Sequence, residues 1–221
     1  MIDWQAIHSV FLDMDGTLLD LHFDNYFWQE HVPQRYGEKY GMDITAAKAE
    51  LYPRFRHVEG TIDWYSVDYW THQLGLDIAM LKEEVDHLIA VHPYVIEFLD
   101  AVRGAGMRAV LVTNAHNKSL ALKMDRTRLG GHFDQLICAH DLGVPKEELR
   151  FWVQLREIEP YEPRHTLLVD DNLAALRSAR AYGIAHLLAV LQPDTRGPER
   201  PVGEFPAIRY FKEVMPVGKD G

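Results

Sequence analysis

A single cysteine, Cys138, occurs in the 221 residues. One cysteine forms no internal disulfide and no multi-cysteine zinc or iron–sulfur site. It lies in the apolar run QLICAH, which reads as a buried strand. Hydrophobic runs of membrane-spanning length are also missing. The opening residues MIDWQAIHSV have neither the basic start nor the apolar stretch of a signal peptide. Positive charge is scarce, with 23 Lys and Arg against 33 Asp and Glu and a formal net charge of −10. That balance argues against a general basic surface for nucleic acid. It leaves room for a small anion held by one or two well-placed cations. The 12 histidines are scattered without metal-ligand spacing such as His-x-x-x-His. The expectation is a cytoplasmic protein with neither a membrane nor a nucleic-acid polymer as partner, a monomer or at most a weak dimer.

What is present is apolar material for a sizeable core, 47% of the residues. Nearly all-apolar runs at 9–13, 108–114, 135–140, 165–171 and 186–191 read as parallel strands covered on both faces. Between them, 94–106 and 172–183 repeat apolar residues at helical spacing, the second with Asn172 as N-cap and Gly183 as stop. Alternating strand and helix predicts an α/β fold with a Rossmann-like parallel sheet. Residues 21–92 break the alternation. They offer helix-like stretches near 24–40, 45–58, 63–75 and 77–91, and about half of the aromatic residues, Trp28, Trp64, Tyr65, Tyr69 and Trp70 among them. The expected division is a core of residues 1–20 and 93–221 with an all-helical insertion at 21–92. Most of these aromatics are expected to fill a small helical bundle and a few to face a pocket. The Pro- and Gly-rich stretch 192–206 reads as a loop leading to a short final element.

In sheets of this kind ligands bind at the carboxyl ends of the strands. The first predicted strand ends in Asp13 and Asp15, the second in Thr113 and Asn114, the fourth in Asp170 and Asp171, and Lys146 follows the third at the start of a predicted helix. A strand end and a Gly turn account for one aspartate, not for two. Crowded carboxylates need a cation, and an all-oxygen set suits Mg²⁺. A metal, a lysine and a hydroxyl together are suited to hold a phosphoryl group. One aspartate would then attack phosphorus, and a second, two residues on, would serve as acid and then base.

A phosphorylation receiver domain combines similar groups, with its acidic pair early and its nucleophile later. Here Asp-x-Asp-Gly-Thr comes first, then Thr, Lys and Asp-Asp. That order resembles the haloacid dehalogenase (HAD) superfamily of phosphohydrolases. DMDGTLL (13–19), VTN (112–114), GVPKEELRFW (143–152) and LLVDDN (167–172) match its four motifs. The third departs from the commoner pattern, with Glu147 and Leu149 where prolines are usual, so a local change in how that helix begins is expected. No further acid stands at Ala175, which leaves Asp170 and Asp171 both needed at the metal. The resemblance implies that Asp13 is nucleophile and metal ligand, and that Asp15 is the acid/base with its backbone carbonyl on the metal. It further implies that Thr113 and the Asn114 backbone hold phosphate, that Lys146 pairs with phosphate and Asp13, and that Asp170 and Asp171 complete a Mg²⁺ site. The insertion at 21–92 is similar to the family's C1-type cap.

Within that family, LDLHFDNYFWQEHVP (19–33), IDWYSVDYWTHQLGLDI (62–78), TNAH (113–116) and PKEELRFW (145–152) resemble the bacterial GMP/IMP nucleotidases. This implies a purine 5′-monophosphate as substrate. Asn25 and a nearby aromatic are the candidate cap contacts, and a structural role fastening the cap to its hinge is the competing expectation for each. His116, just past the second motif, is the histidine placed to take part. A sugar phosphate or phosphoglycolate as substrate, and a phosphate-binding protein without turnover, are the competing functional readings.

Overall fold

The computed structural model describes residues 2–216. Six parallel strands form one sheet in the order β3-β2-β1-β4-β5-β6. They are β1 (Ser9–Leu12), β2 (Arg108–Thr113), β3 (Gln135–Cys138), β4 (Thr166–Asp170), β5 (His186–Val190) and β6 (Ala207–Ile208). Side chains along a strand point alternately to opposite faces, and both faces here are packed. Val10, Leu12, Ala109, Leu111, Leu167 and Val169 join one cluster with Val95, Phe98, Leu99 and Val102 of α6 (Val95–Gly104). Phe11, Val110, Val112 and Leu168 join the other, with Phe151, Trp152 and Leu155 of α9 (Leu149–Ile158) and Leu176 and Ala179 of α10 (Leu173–Tyr182). This two-sided cover is why the strands read as unbroken apolar runs.

Between β1 and β2 the chain is helical. α1 (His22–Tyr26) continues through a π-turn (Phe27–His31) into α2 (Val32–Tyr40), followed by α3 (Ile44–Val58), α4 (Val67–Leu74) and α5 (Ile78–Glu84). These helices bury their own cluster, with Phe23, Phe27, Leu51, Phe55, Trp70 and Ile78 at its centre. Side-chain caps explain the starts: Asp43 accepts from Ala46 N, Ser66 from Tyr69 N and Asp77 from Met80 N. The 63–75 stretch is two pieces, a 3₁₀ turn (Ile62–Tyr65) and α4, separated by the Ser66 cap.

Two boundaries differ from expectation. The third strand stops at Cys138, and α8 (Ala139–Leu142) takes the residues that read as its end. Lys146 lies in a turn three residues ahead of α9 instead of at its start. The remaining helix, α7 (Asn117–Thr127), follows β2. Beyond 192–206 the short final element is β6 with a 3₁₀ turn (Phe211–Val214). No helix among the described residues is long and apolar enough to cross a membrane. Cys138 is buried, and burial pushes its thiol up to about 11.

Candidate active site

The carboxyl ends of β1, β2 and β4 converge with the Lys146 turn at the floor of a cavity of about 900 Å³. Asp13 follows β1 directly, and its backbone N–H still bonds to Val169 O at 3.0 Å, so the sheet fixes its position. Lys146 is 1% exposed. Its Nζ donates to Asp13 Oδ1 at 2.5 Å, to Asp170 Oδ2 at 2.7 Å and to Val112 O at 3.2 Å. The turn that carries it is held from below, where Trp152 Nε1 donates to Lys146 O at 3.0 Å. Asn114 Oδ1 accepts from Lys146 N at 2.9 Å. Thr113, also 1% exposed, accepts from Ala115 N at 3.0 Å through Oγ1, which shapes the loop after β2.

Asp13, Asp170 and Asp171 each bring a carboxylate oxygen within 4.8 Å of the others. Three acids with one lysine between two of them leave an excess of negative charge, and their ionisation reports it. Burial pushes Asp13 up to about 6, with Lys146 opposing and Asp170 adding to the rise. Asp170 is raised by burial, and Asp171 is raised well above the usual carboxylate range by burial and by Asp13 and Asp170. Lys146 is held above its ordinary value, because Asp13 and Asp170 outweigh the burial that disfavours its charge. Such an oxygen-only set suits a hard divalent cation. Gly16 makes room for the Asp171 carboxylate: at φ +86°, a Cβ there would lie 2.6 Å from Asp171 Oδ2.

Asp15 is placed differently. Its side chain lies on the cavity wall outside the three-carboxylate cluster, with Oδ1 bonded to Lys123 Nζ at 2.6 Å. Its place in the expected metal set therefore rests on its backbone carbonyl. Burial pushes Asp15 up to about 6, against the pull of Lys123. Asn25 also lines the cavity, but its Nδ2 donates to Asp194 Oδ2 at 2.7 Å, across to the loop after β5. His116 caps α7, accepting from Lys118 N at 3.3 Å, and burial holds it below its usual value.

Several groups here escaped the sequence reading. Thr17 donates to Asp13 Oδ2 at 3.2 Å and accepts from Asp171 N at 3.1 Å, tying the first motif to the fourth. Glu147 accepts from Asn114 Nδ2 at 2.8 Å, Asn172 Nδ2 at 2.8 Å and Tyr65 OH at 2.6 Å. It stands where a proline is usual in the third motif, and that departure was the available signal. Lys123 and Asp24 had no signal, since a helix lysine and a helix aspartate read as solvent-facing. Opposite the floor, Trp28, Tyr52, Phe55, Trp64 and Tyr65 line the cavity with Gln29, Arg56 and Glu59. Trp70 is instead core, 1% exposed, its ring edge-on to Phe55 at 5.0 Å.

Comparison with known proteins agrees with this geometry. Residues 7–183 match the haloacid dehalogenase-like hydrolase family. The GMP/IMP nucleotidase YrfG of Escherichia coli is 39% identical over 215 residues, 97% of each chain. The phosphoglycolate phosphatase of Pseudomonas putida is 24% identical over 181 residues, 79% of this chain and 66% of that one. Among solved structures, a HAD phosphatase from Thermococcus onnurineus superposes with a TM-score of 0.80 at 23% identity, covering 94% of this chain and 96% of that one.

Proposed function

This chain belongs to the haloacid dehalogenase-like hydrolase family, and from that premise we propose that it is a Mg²⁺-dependent 5′-nucleotidase acting on GMP and IMP. The observation that carries the reading is the floor of the cavity, where a buried lysine holds Asp13 and Asp170 beside Asp171. Phosphoester chemistry fits these groups, and the likeness to the Escherichia coli nucleotidase along nearly the whole chain supports the purine substrate. The aromatic wall opposite the floor supports it too, because a purine ring gains from stacking.

In this reading residues 21–92 form a cap over a core of residues 1–20 and 93–221. Asp13 attacks phosphorus in line with the scissile bond. The bond to the nucleoside O5′ breaks and Asp15 gives that oxygen its proton, leaving the phosphoryl group on Asp13 as an acyl phosphate. Asp15, now ionised, takes a proton from water as the water attacks phosphorus. The Asp13–phosphate bond breaks, and inorganic phosphate leaves. Lys146, Thr113 and the Asn114 backbone hold the phosphoryl oxygens. Asp13, Asp170, Asp171 and the Asp15 carbonyl would hold Mg²⁺, which when bound neutralises phosphoryl charge and the crowded carboxylates. Asn25 keeps its side-chain carbonyl for the ligand while its amide fastens α1 to Asp194. In this reading the protein works in the cytoplasm on free nucleotides.

The test is inorganic phosphate release from GMP, IMP, AMP, UMP, sugar phosphates and phosphoglycolate, with Mg²⁺ and with chelator. GMP and IMP well above the rest, and lost with chelator, is the expected result. A sugar phosphate or phosphoglycolate in front would keep the hydrolase and overturn the nucleotide. Release from none of them with Mg²⁺ present would overturn both.

A further inference from the structure

Two buried lysines near the cavity, Lys82 and Lys123, are not used by the phosphate chemistry described so far, and of these Lys123 touches Asp15. Lys123 lies on α7 and is 1% exposed. Its Nζ donates to Asp15 Oδ1 and to Asp24 Oδ2, each at 2.6 Å. Asp24 belongs to α1, and its other oxygen accepts from Lys82 Nζ of α5 at 2.9 Å. Charges therefore alternate from the loop after β1, through α7, to two helices of the segment between β1 and β2. The aromatic rings of that segment surround the same groups, with Phe23 5.0 Å from both ammonium nitrogens and Phe27 4.4 Å from Lys82.

Asp24 lies between two buried lysines, Lys82 and Lys123, and can neutralise only one of them, so Asp15 supplies the second negative charge of a four-membered cluster. What Lys123 adds is a fixed direction for the Asp15 carboxylate. Oδ1 is bound, while Oδ2 makes no hydrogen bond among the described residues, and Asp15 lines the cavity. A general acid/base is commonly held in this way, one atom by an orienting group and the other left for the reaction.

We propose that Lys123 is a positioning residue that aims Asp15 at the scissile bond and, through Asp24, makes that aim depend on the seating of α1 against α7. This deepens the proposed reaction and rests on Asp15 being its acid/base. The dependence follows from the geometry: Asp24 can reach Lys123 only while α1 lies against α7. Closing the cavity and aligning the proton carrier then become one event.

Lys123→Met removes the charge at similar length, and Asp24→Asn removes the tie from the other side while keeping the shape. With GMP and Mg²⁺, each is expected to lower kcat by about tenfold to a hundredfold, the scale of a misaligned reacting group, with KM within about threefold. The double variant should be no worse than the more impaired single one, because both cut the same connection. The distinguishing readout uses p-nitrophenyl phosphate, whose leaving group departs without a proton. Asp13 should still be phosphorylated, giving a burst of nitrophenolate followed by slow turnover, as in Asp15→Asn. Loosened packing would lower the active fraction without creating a burst. If Asp15→Asn shows the burst but Lys123→Met and Asp24→Asn turn over like the wild type, or slow without a burst, Lys123 loses its role and the proposed reaction stands. If Asp15→Asn turns over at full rate, the acid/base assignment falls and takes this inference with it. Should Lys123→Met fail to fold, Asp24→Asn decides alone.

Discussion

Replacing Asp171 by Asn should make the metal-free protein more stable while destroying its response to Mg²⁺. Asp171 has carboxylate neighbours in Asp13 and Asp170, and Lys146 pairs with those two and not with it. Its nearest cation is the half-exposed Arg200, 3.6 Å away. Two unit charges 4.8 Å apart repel by about 3.5 kcal/mol at an effective dielectric of about 20. Proton uptake and Arg200 limit what the folded protein bears, so a gain of about 2 kcal/mol from Asp171→Asn is the working magnitude, or roughly 4–8 °C in melting temperature for a chain of this length. The sign with pH is definite. A carboxyl raised in the folded state costs nothing where it is protonated both folded and unfolded, and it weakens the fold once ionised there. Metal-free wild type should therefore lose stability as pH rises from the ordinary carboxylate range through about 6, to which burial pushes Asp13 and Asp15. Mg²⁺ should restore it above that range and have little effect below. Calorimetry of both proteins, with chelator and with Mg²⁺, from pH 4.5 to about 7.5 measures all of this. A lower metal-free melting temperature for Asp171→Asn at the upper pH would refute the reasoning, because it would mean the carboxylate is a satisfied structural group.

Asp13→Asn should keep the fold, by near-ultraviolet circular dichroism, and lose at least about a thousandfold in turnover; retained turnover would mean the nucleophile is another group. Gly16→Ala should abolish Mg²⁺-dependent stabilisation and turnover together, because φ is +86° and the new methyl would meet Asp171; calorimetry with and without Mg²⁺ reads it, and a normal response would show that the loop yields. Tyr65→Phe removes the hydroxyl that reaches Glu147 from the opposite side of the cavity. It should raise KM for GMP by about tenfold to a hundredfold, the scale of one hydrogen bond to a charged group, and an unchanged KM would show that this bond does nothing for substrate binding.

The groups at the ends of β1, β2 and β4 were legible because each is local in the chain. An apolar run shows a strand, and the residues just after it must lie at the rim, whatever the rest of the molecule does. The parallel sheet, the cap at Asn172 and the helical character of residues 21–92 follow from the same short-range rules, whereas the break at Ser66 inside the 63–75 stretch was not read. Glu147 shows where this stops. Its departure from the third motif was visible, but its bonds to Tyr65, Asn114 and Asn172 span 82, 33 and 25 residues. Of the aromatics, Trp28 and Trp64 line the cavity and Trp70 does not, although all three fall in stretches that read alike as helical in the sequence.

By itself, then, the order of residues determined the alternation of strand and helix and the types of group delivered to one rim of the sheet, because periodicity and strand ends act within a few residues. Only the tertiary structure decided which of those groups meet. Lys123 pairs with Asp15 across 108 residues, and Asn25 with Asp194 across 169. Whether a helix lysine faces water or a buried carboxylate depends on what packs against its helix, and that is settled only when distant segments come into contact.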